Sequence, residues 1–442
     1  MQLPISRQAR TYFTKGGNPF NMNTSIKNLF FDSVDESRDE IVSLLKKLVR
    51  FPTTTGNERD AQLYYAALME QEDFETEVWE PDLEEIKRNF NIVTSRTDYK
   101  NSPLAMGLKK GAGGGKSIIL SGHMDVVPVG DFWKYDPFGA EEENGRIYGR
   151  GAADMKAGLT ANYTVARLLK KNNIQLKGDL YLQSCIDEET GSTGVLGAVL
   201  KGYKADGLIV SEPTNRNILI ATIGATWFRI VVRGKSAHAS ATYNGVNAIQ
   251  KACLFVEKLN ALELKRAENI ESEIYRTKKM PYCINVGCIQ SGNWPSTVPD
   301  KAIIEGRFGF APSETLDDVR SMLNTVIDEV CEADDWLKDH RPEMELYGTS
   351  WHGAELDADF PLVQLLSKHC DQIYGQKTTV DAASFCTDGA MMSRFANTPA
   401  VTFGPGNIAV AHETNEYVEI EEILSATKAI GATVLDWCGI AE

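Results

Sequence analysis

Helical spacing of apolar residues first appears between about Asp32 and Arg50, where Ile41, Leu44, Leu45, Leu48 and Val49 share one face. Pro52 ends that run. A second helix is expected over Glu58 to Gln71. Thr94 to Lys116 has no apolar period and is rich in Gly, Lys and Ser, which predicts an exposed loop. From Ile118 the pattern alternates. Strand-type runs at Ile118–Leu120, Asp179–Ile186 and Leu208–Val210 are separated by helical runs at Met155–Lys171 and Gly191–Leu200. This order predicts an α/β fold, a mostly parallel sheet flanked by helices.

Near Ile223 the texture changes. Strands at Phe228–Val232, Cys283–Ile289, Ala302–Phe310 and Met344–Tyr347 interleave with helices at Gly245–Leu259 and Leu316–Ala333. A βαββαβ order of this kind can stand as its own smaller α+β domain. The α/β pattern then resumes with a helix at Pro361–Tyr374, a strand at Ala400–Phe403 and a helix at Ile420–Cys438. The expected division is an N-terminal extension at 1–31, one domain from 32–222 and 349–442, and an inserted domain at 223–348.

Composition narrows the function. At 442 residues the chain has room for two or three domains. No apolar run approaches the ~18 residues of a membrane span. The start, MQLPISRQARTYFTKGG, lacks the apolar stretch of a secretory signal. A formal net charge of −15 argues against nucleic acid or an anionic membrane as partner. Eight cysteines without a C-x-x-C pair argue against a thiolate zinc site and for a reduced, cytoplasmic protein. Gly111-Ala112-Gly113-Gly114-Gly115-Lys116-Ser117 resembles a phosphate-binding loop only superficially. Lys110 stands where the pattern needs glycine, and the following residues read as a strand rather than a helix.

Ligands of open parallel sheets gather beyond the carboxyl ends of the strands, so polar residues directly after apolar runs are the ones to collect. They are His123 and Asp125 after Leu120, Asp187-Glu188-Glu189 after Ile186, Glu212 after Val210, and His412 after Ala411. Asp154 lies in a glycine-studded turn ahead of a helix. Three consecutive acids at a strand end repel one another unless a divalent cation sits among them. A set of His, Asp and Glu without Cys suits Zn²⁺, Co²⁺ or Mn²⁺ at an open catalytic site. Individually, each of these residues also has an ordinary reading. Asp154 can cap a helix, and Glu188 and Glu189 can be solvated acids.

The stretches SGHMDVVP, YGRGAADMKAG, IDEETGS, SEPT, GKSAHAS, VPD and FGPG…AHETNEYV occur in the order found in the ArgE/DapE branch of the M20 metallopeptidases, which the chain resembles from about Asp32 onward. The resemblance is to acetylornithine deacetylase and succinyl-diaminopimelate desuccinylase. It implies a zinc-exopeptidase-like catalytic domain interrupted by a smaller dimerisation, or lid, domain, and hence a homodimer. It implies two divalent metal ions, Zn²⁺ foremost, with Co²⁺ or Mn²⁺ as alternatives. His123 and Glu212 would hold one metal, Glu189 and His412 the other, and Asp154 would bridge them. Asp125 would orient the His123 imidazole, and Glu188 would be the general base.

By the same resemblance, His238 reaches the active site of the neighbouring subunit and helps to stabilise the oxyanion. Arg307 is the candidate for a substrate carboxylate, with a surface ion pair as its ordinary alternative. One departure stands out: Ser296 occupies the slot where the family usually has asparagine before Val-Pro-Asp. The implied activity is removal of an N-acyl group from a small amino acid or amine. Aminopyrimidine deformylase, succinyl-diaminopimelate desuccinylase and dipeptidase activities share the same site, and a metal-dependent ligand-binding protein without turnover is the reading from another class.

Overall fold

A computed structural model describes residues 19–441. Its larger sheet is built on four parallel strands, in spatial order Leu180–Cys185, Ile118–His123, Leu208–Pro213 and Ala400–Gly404. These strands are buried along almost their whole length, as expected where helices cover both faces. Antiparallel strands extend the sheet on both sides. Leu104–Lys109 and Glu75–Trp79 lie beyond Leu180–Cys185, and Ile218–Thr222 and Ala354–Glu355 lie beyond Ala400–Gly404. Val380–Ala382 also pairs with Ile218–Thr222, in parallel.

Helices Ala157–Lys171 and Ile420–Cys438 pack together against this sheet, their apolar positions fully buried. The helix Pro19–Glu36 lies on Ile420–Cys438, with Phe30 buried against Gly431, where any Cβ would overlap the phenyl ring. The stretch expected as an extension is therefore helical from Pro19; residues 1–18 lie outside the described residues. The single helix expected from Asp32 to Arg50 is two, Pro19–Glu36 and Arg38–Val49, meeting at Ser37.

The smaller sheet is antiparallel, in the order Ile284–Ser291, Lys301–Phe310, Gly224–Arg233 and Glu343–Trp351. Phe228, Ile230, Val232, Ala302, Ile304 and Phe308 point inward to a core shared with helices Ala248–Glu268 and Leu316–Ala333. The second of these helices starts at a capping box, in which Thr315 and Asp318 satisfy each other's amide groups.

Two expectations need correction. Leu104–Lys109 is a buried strand inside the expected Thr94–Lys116 loop. Its Gly107 lies under Met69 and Phe74, a close approach that the residue's lack of Cβ permits and that hid the strand from pattern reading. Gly111–Lys116 is followed by a strand, as expected: the Ala112 and Gly113 amides bond to the Leu176 and Lys177 carbonyls, and the chain enters Ile118–His123. The helix expected at Gly191–Leu200 is regular only over Leu196–Leu200, because Gly191 and Ser192 adopt positive φ.

Candidate metal centre

The carboxyl ends of the four parallel strands carry the candidate residues to one place. His123 ends its strand, and Asp125 follows directly. Glu188 and Glu189 form a short turn after Leu180–Cys185, Glu212 lies at the end of Leu208–Pro213, and His412 follows the Ala400–Gly404 strand and the turn Ile408–Val410. Asp154 comes from the turn Ala152–Lys156 ahead of helix Ala157–Lys171.

Asp154 is central to the cluster. Its Oδ1 lies 3.0 Å from His123 Nε2 and its Oδ2 lies 3.3 Å from His412 Nε2. Glu212 Oε1 is 3.7 Å from His123 Nε2, and Glu189 Oε2 is 3.0 Å from His412 Nε2. Single donor atoms of His123, Asp154 and Glu189 all fall within 4.8 Å of one another. His123, Asp154, Glu188 and Glu212 are buried, whereas His412 is half exposed. Among the described residues no Lys or Arg pairs with Asp154, Glu188, Glu189 or Glu212. Four carboxylates thus share this space with two imidazoles as their only cationic partners. Such a donor set, with no thiolate, fits hard or borderline divalent cations, which Asp154 and the residues around it would hold.

The electrostatics reflect this crowding. Burial raises the Glu188 carboxyl well above its ordinary range, and Glu212 and Glu189 add to the effect while His123 opposes it. Burial likewise raises Glu189 to about 7, with Asp154 adding to it. Asp154 goes the other way: burial opposes ionisation, but hydrogen bonds from both histidines hold it well below the usual carboxylate range. His412 is raised to about 10 by its bonds to Asp154 and Glu189.

The backbone sets the orientation of the imidazole. His123 Nδ1 donates to the Asp125 carbonyl at 2.8 Å, which leaves Nε2 free to face Asp154 and Glu212. The Asp125 carboxylate, expected to orient the ring itself, stands 3.7 Å from Nδ1. It accepts instead from the Glu188 and Glu189 amides at 3.3 and 3.1 Å, so Asp125 organises the neighbouring acid turn.

His238 and Arg307 lie on the smaller sheet's domain. His238 is exposed and caps the turn Ala239–Asn244; it accepts from the Ser240 hydroxyl and amide at 2.7 and 3.1 Å through Nδ1. No contact joins it to the cluster of its own chain among the described residues. Arg307 pairs in register with Trp227 on the sheet face turned away from the helices. It has no ion-pair partner among the described residues. Its charge reaches Cys386, which also feels Glu188.

Three participants escaped the sequence reading. Glu416 accepts from the Ala153 and Asp154 amides at 2.9 and 3.1 Å and pairs with Arg150 at 2.6 Å, both side chains buried. Arg150 also donates to the His412 carbonyl at 3.2 Å, so this pair ties the Asp154 turn to the His412 loop. Both residues lie in motif stretches, but spacing carried no sign of their burial. Asp388, at the start of helix Asp388–Ala396, is buried with neither oxygen in hydrogen-bond geometry among the described residues, the Cys185 and Ser192 side chains being the polar groups that face it. Burial raises it to about 7.

The sequence from residue 119 to 436 matches the model of peptidase family M20/M25/M40. A Bacillus subtilis N-formyl-4-amino-5-aminomethyl-2-methylpyrimidine deformylase is 28% identical over 92% of this chain and 96% of its own. A Staphylococcus aureus protein named as a succinyl-diaminopimelate desuccinylase is 30% identical over 87% of this chain and 94% of its own. The crystal structure of an aminopeptidase PepT from Bacillus cereus superposes with a TM-score of 0.72 at 18% identity, over 91% of this chain and 99% of that one. With the family model spanning most of the chain, the protein belongs to the M20 family of peptidases and is a hydrolase of linear amide bonds.

Proposed function

We propose that the protein is a cytoplasmic, homodimeric, dinuclear-metal amidohydrolase that removes an N-acyl group from a small amino acid or amine. The observation that carries this reading is Asp154, with an imidazole on each carboxylate oxygen and a further acid beside each imidazole. His123 and Glu212 would hold one ion, Glu189 and His412 the other, with Asp154 between them; Zn²⁺ suits the set best, and Co²⁺ or Mn²⁺ also fit. When bound, such a pair polarises the amide carbonyl and makes water at the site more acidic.

The chain's own residues do the rest. Glu188, one residue from a proposed ligand but pairing with neither histidine, takes a proton from the attacking water. Water oxygen bonds to the acyl carbon, the C–N bond breaks, and Glu188 passes the proton to the departing nitrogen. His238 holds its acceptor nitrogen toward Ser240, which leaves the Nε2 hydrogen available to the oxyanion. Arg307, without an ion pair among the described residues, suits a substrate carboxylate by bidentate contact. A second reading, hydrolysis of an N-formyl aminopyrimidine, is favoured by the deformylase relative, which aligns over 92% of the chain.

The test is chelation and replacement. Hydrolysis of N-acyl substrates is expected to stop with EDTA and return with Zn²⁺ or Co²⁺. Glu188→Gln is expected to retain the metal content of the parent and lose kcat by about 10²–10⁴-fold. Loss of metal in that variant, or retained turnover, would remove Glu188 from the role of base. N-formyl, N-acetyl and N-succinyl compounds and dipeptides, assayed side by side, separate the two readings.

A further inference from the structure

The chain returns from the smaller sheet through Thr349, Ser350, Trp351 and His352, and this connection lands on the acid turn. The Thr349 hydroxyl donates to the Thr190 carbonyl at 2.6 Å. The Trp351 indole N–H donates to the Glu188 carbonyl at 3.1 Å. The main chain of Glu188 and of the turn after it is therefore held from outside its own sheet.

A second strand of contacts runs through residues 91–99. The Val93 amide donates to the Ser350 hydroxyl at 2.8 Å, and that hydroxyl donates to the Val93 carbonyl at 3.1 Å. His352 Nε2 donates to the Asn91 carbonyl at 3.0 Å. On the smaller domain, the Asn91 amide donates to Asp317, in helix Leu316–Ala333, at 3.2 Å. At the other end, Arg96 Nε lies 2.8 Å from Asp187 Oδ1, and the Tyr99 hydroxyl donates to Asp187 Oδ2 at 3.0 Å. Asp187 is a non-glycine residue at φ +67°, a conformation that persists only where surroundings over-determine it. One line of contact thus reaches residues 188–190 from the end of the smaller sheet, and the other reaches Asp187 from residues 91–99 of the larger domain, which Asn91 ties to the smaller one.

We propose that Trp351 and Thr349 are positioning residues for Glu188, which aim the base by coupling its turn to the placement of the smaller domain. The inference rests on the reading of Glu188 as general base. Fixing the Glu188 and Thr190 carbonyls fixes the Glu188–Glu189 and Thr190–Gly191 peptide planes, and so restrains the turn from which the Glu188 side chain leaves the backbone. Displacement of a catalytic group by about 1 Å is enough to lower turnover by up to about 10²-fold without altering any reacting atom.

Two substitutions remove the donors and keep the shapes, Trp351→Phe and Thr349→Val. Each is expected to leave metal content and melting temperature at parental values, to change KM little, and to lower kcat by about tenfold. Thr349→Ser, which keeps the hydroxyl, is expected to retain the parental kcat. The double variant is expected to fall little below the worse single variant, since both donors serve one turn. Parental kcat in Trp351→Phe and Thr349→Val, beside an inactive Glu188→Gln, overturns the positioning role and leaves the base in place. An active Glu188→Gln overturns the base itself and this inference with it. Loss of metal, or equal loss of kcat in Thr349→Ser, marks a merely structural contact and also overturns it.

Discussion

His352 shows how much one side chain's surroundings decide. It is 3% exposed, donates through Nε2 to the Asn91 carbonyl, and has no partner for Nδ1 among the described residues. The edge of Phe395 and the charge of Arg394 face it from helix Asp388–Ala396. Burial, with Arg394 adding to it, pushes its pKa down to about 4. Because the folded value lies below the unfolded one, its contribution to stability is complete above about 6.5 and is lost as pH falls toward 4, by up to about 3 kcal/mol. His352→Gln keeps a donor but cannot titrate. Its melting temperature is expected to drop less than that of the parent between pH 7 and 5; parallel losses would exclude His352 as the source. At this scale the sequence disclosed the metal-type donors, because all but Asp154 follow an apolar run and Asp154 stands in a glycine-studded turn. It did not disclose Glu416, Arg150 or Asp388, whose importance comes from burial, nor that the Asp125 carboxylate beside His123 also accepts from the Glu188 and Glu189 amides.

The elements were legible where periodicity was long and one-sided. Leu316–Ala333, Pro361–Tyr374 and Ile420–Cys438 run as their apolar spacing predicts. Short strands were not. Glu75–Trp79 and Leu104–Lys109 carry Glu, Gly and Lys, and Ile218–Thr222 adjoins the change of texture that drew attention to the next strand. The helix Pro19–Glu36 was missed ahead of Asp32, where the ring of Phe30 is its fully buried contact among the residues whose side chains are described. Phe30 is fully buried against Gly431, and Lys27 pairs with Asp436 at 2.6 Å. Asp436 also meets His369 at 2.8 Å; burial opposes its ionisation, but these two partners hold it well below the usual carboxylate range. Phe30→Ala is expected to cost about 3–5 kcal/mol in urea unfolding, because the rigid Gly431 surface cannot close the hole. A loss under about 1 kcal/mol would mean that the helix adds little to the fold.

At the scale of the molecule, the return of the α/β pattern after the smaller sheet was the readable sign of an insertion, and the contacts of Thr349–His352 were not readable from it. Placement of His238 then raises a question of assembly. Its turn belongs to the smaller domain, its ring is exposed, and the cluster of its own chain does not touch it. If His238 serves catalysis, a second copy must supply it, and the prediction separates that arrangement from a self-contained one. Glu188→Gln and His238→Ala chains, each nearly inactive alone, are co-expressed with different tags and the mixed dimer is isolated. In the mixed dimer one site pairs an intact Glu188 with the intact His238 of the other chain, while the second site lacks both. If the chain forms the two-fold dimer proposed above, activity is therefore expected to return to about half that of the parental protein. If each chain used its own His238, both sites would stay defective and mixing would restore nothing.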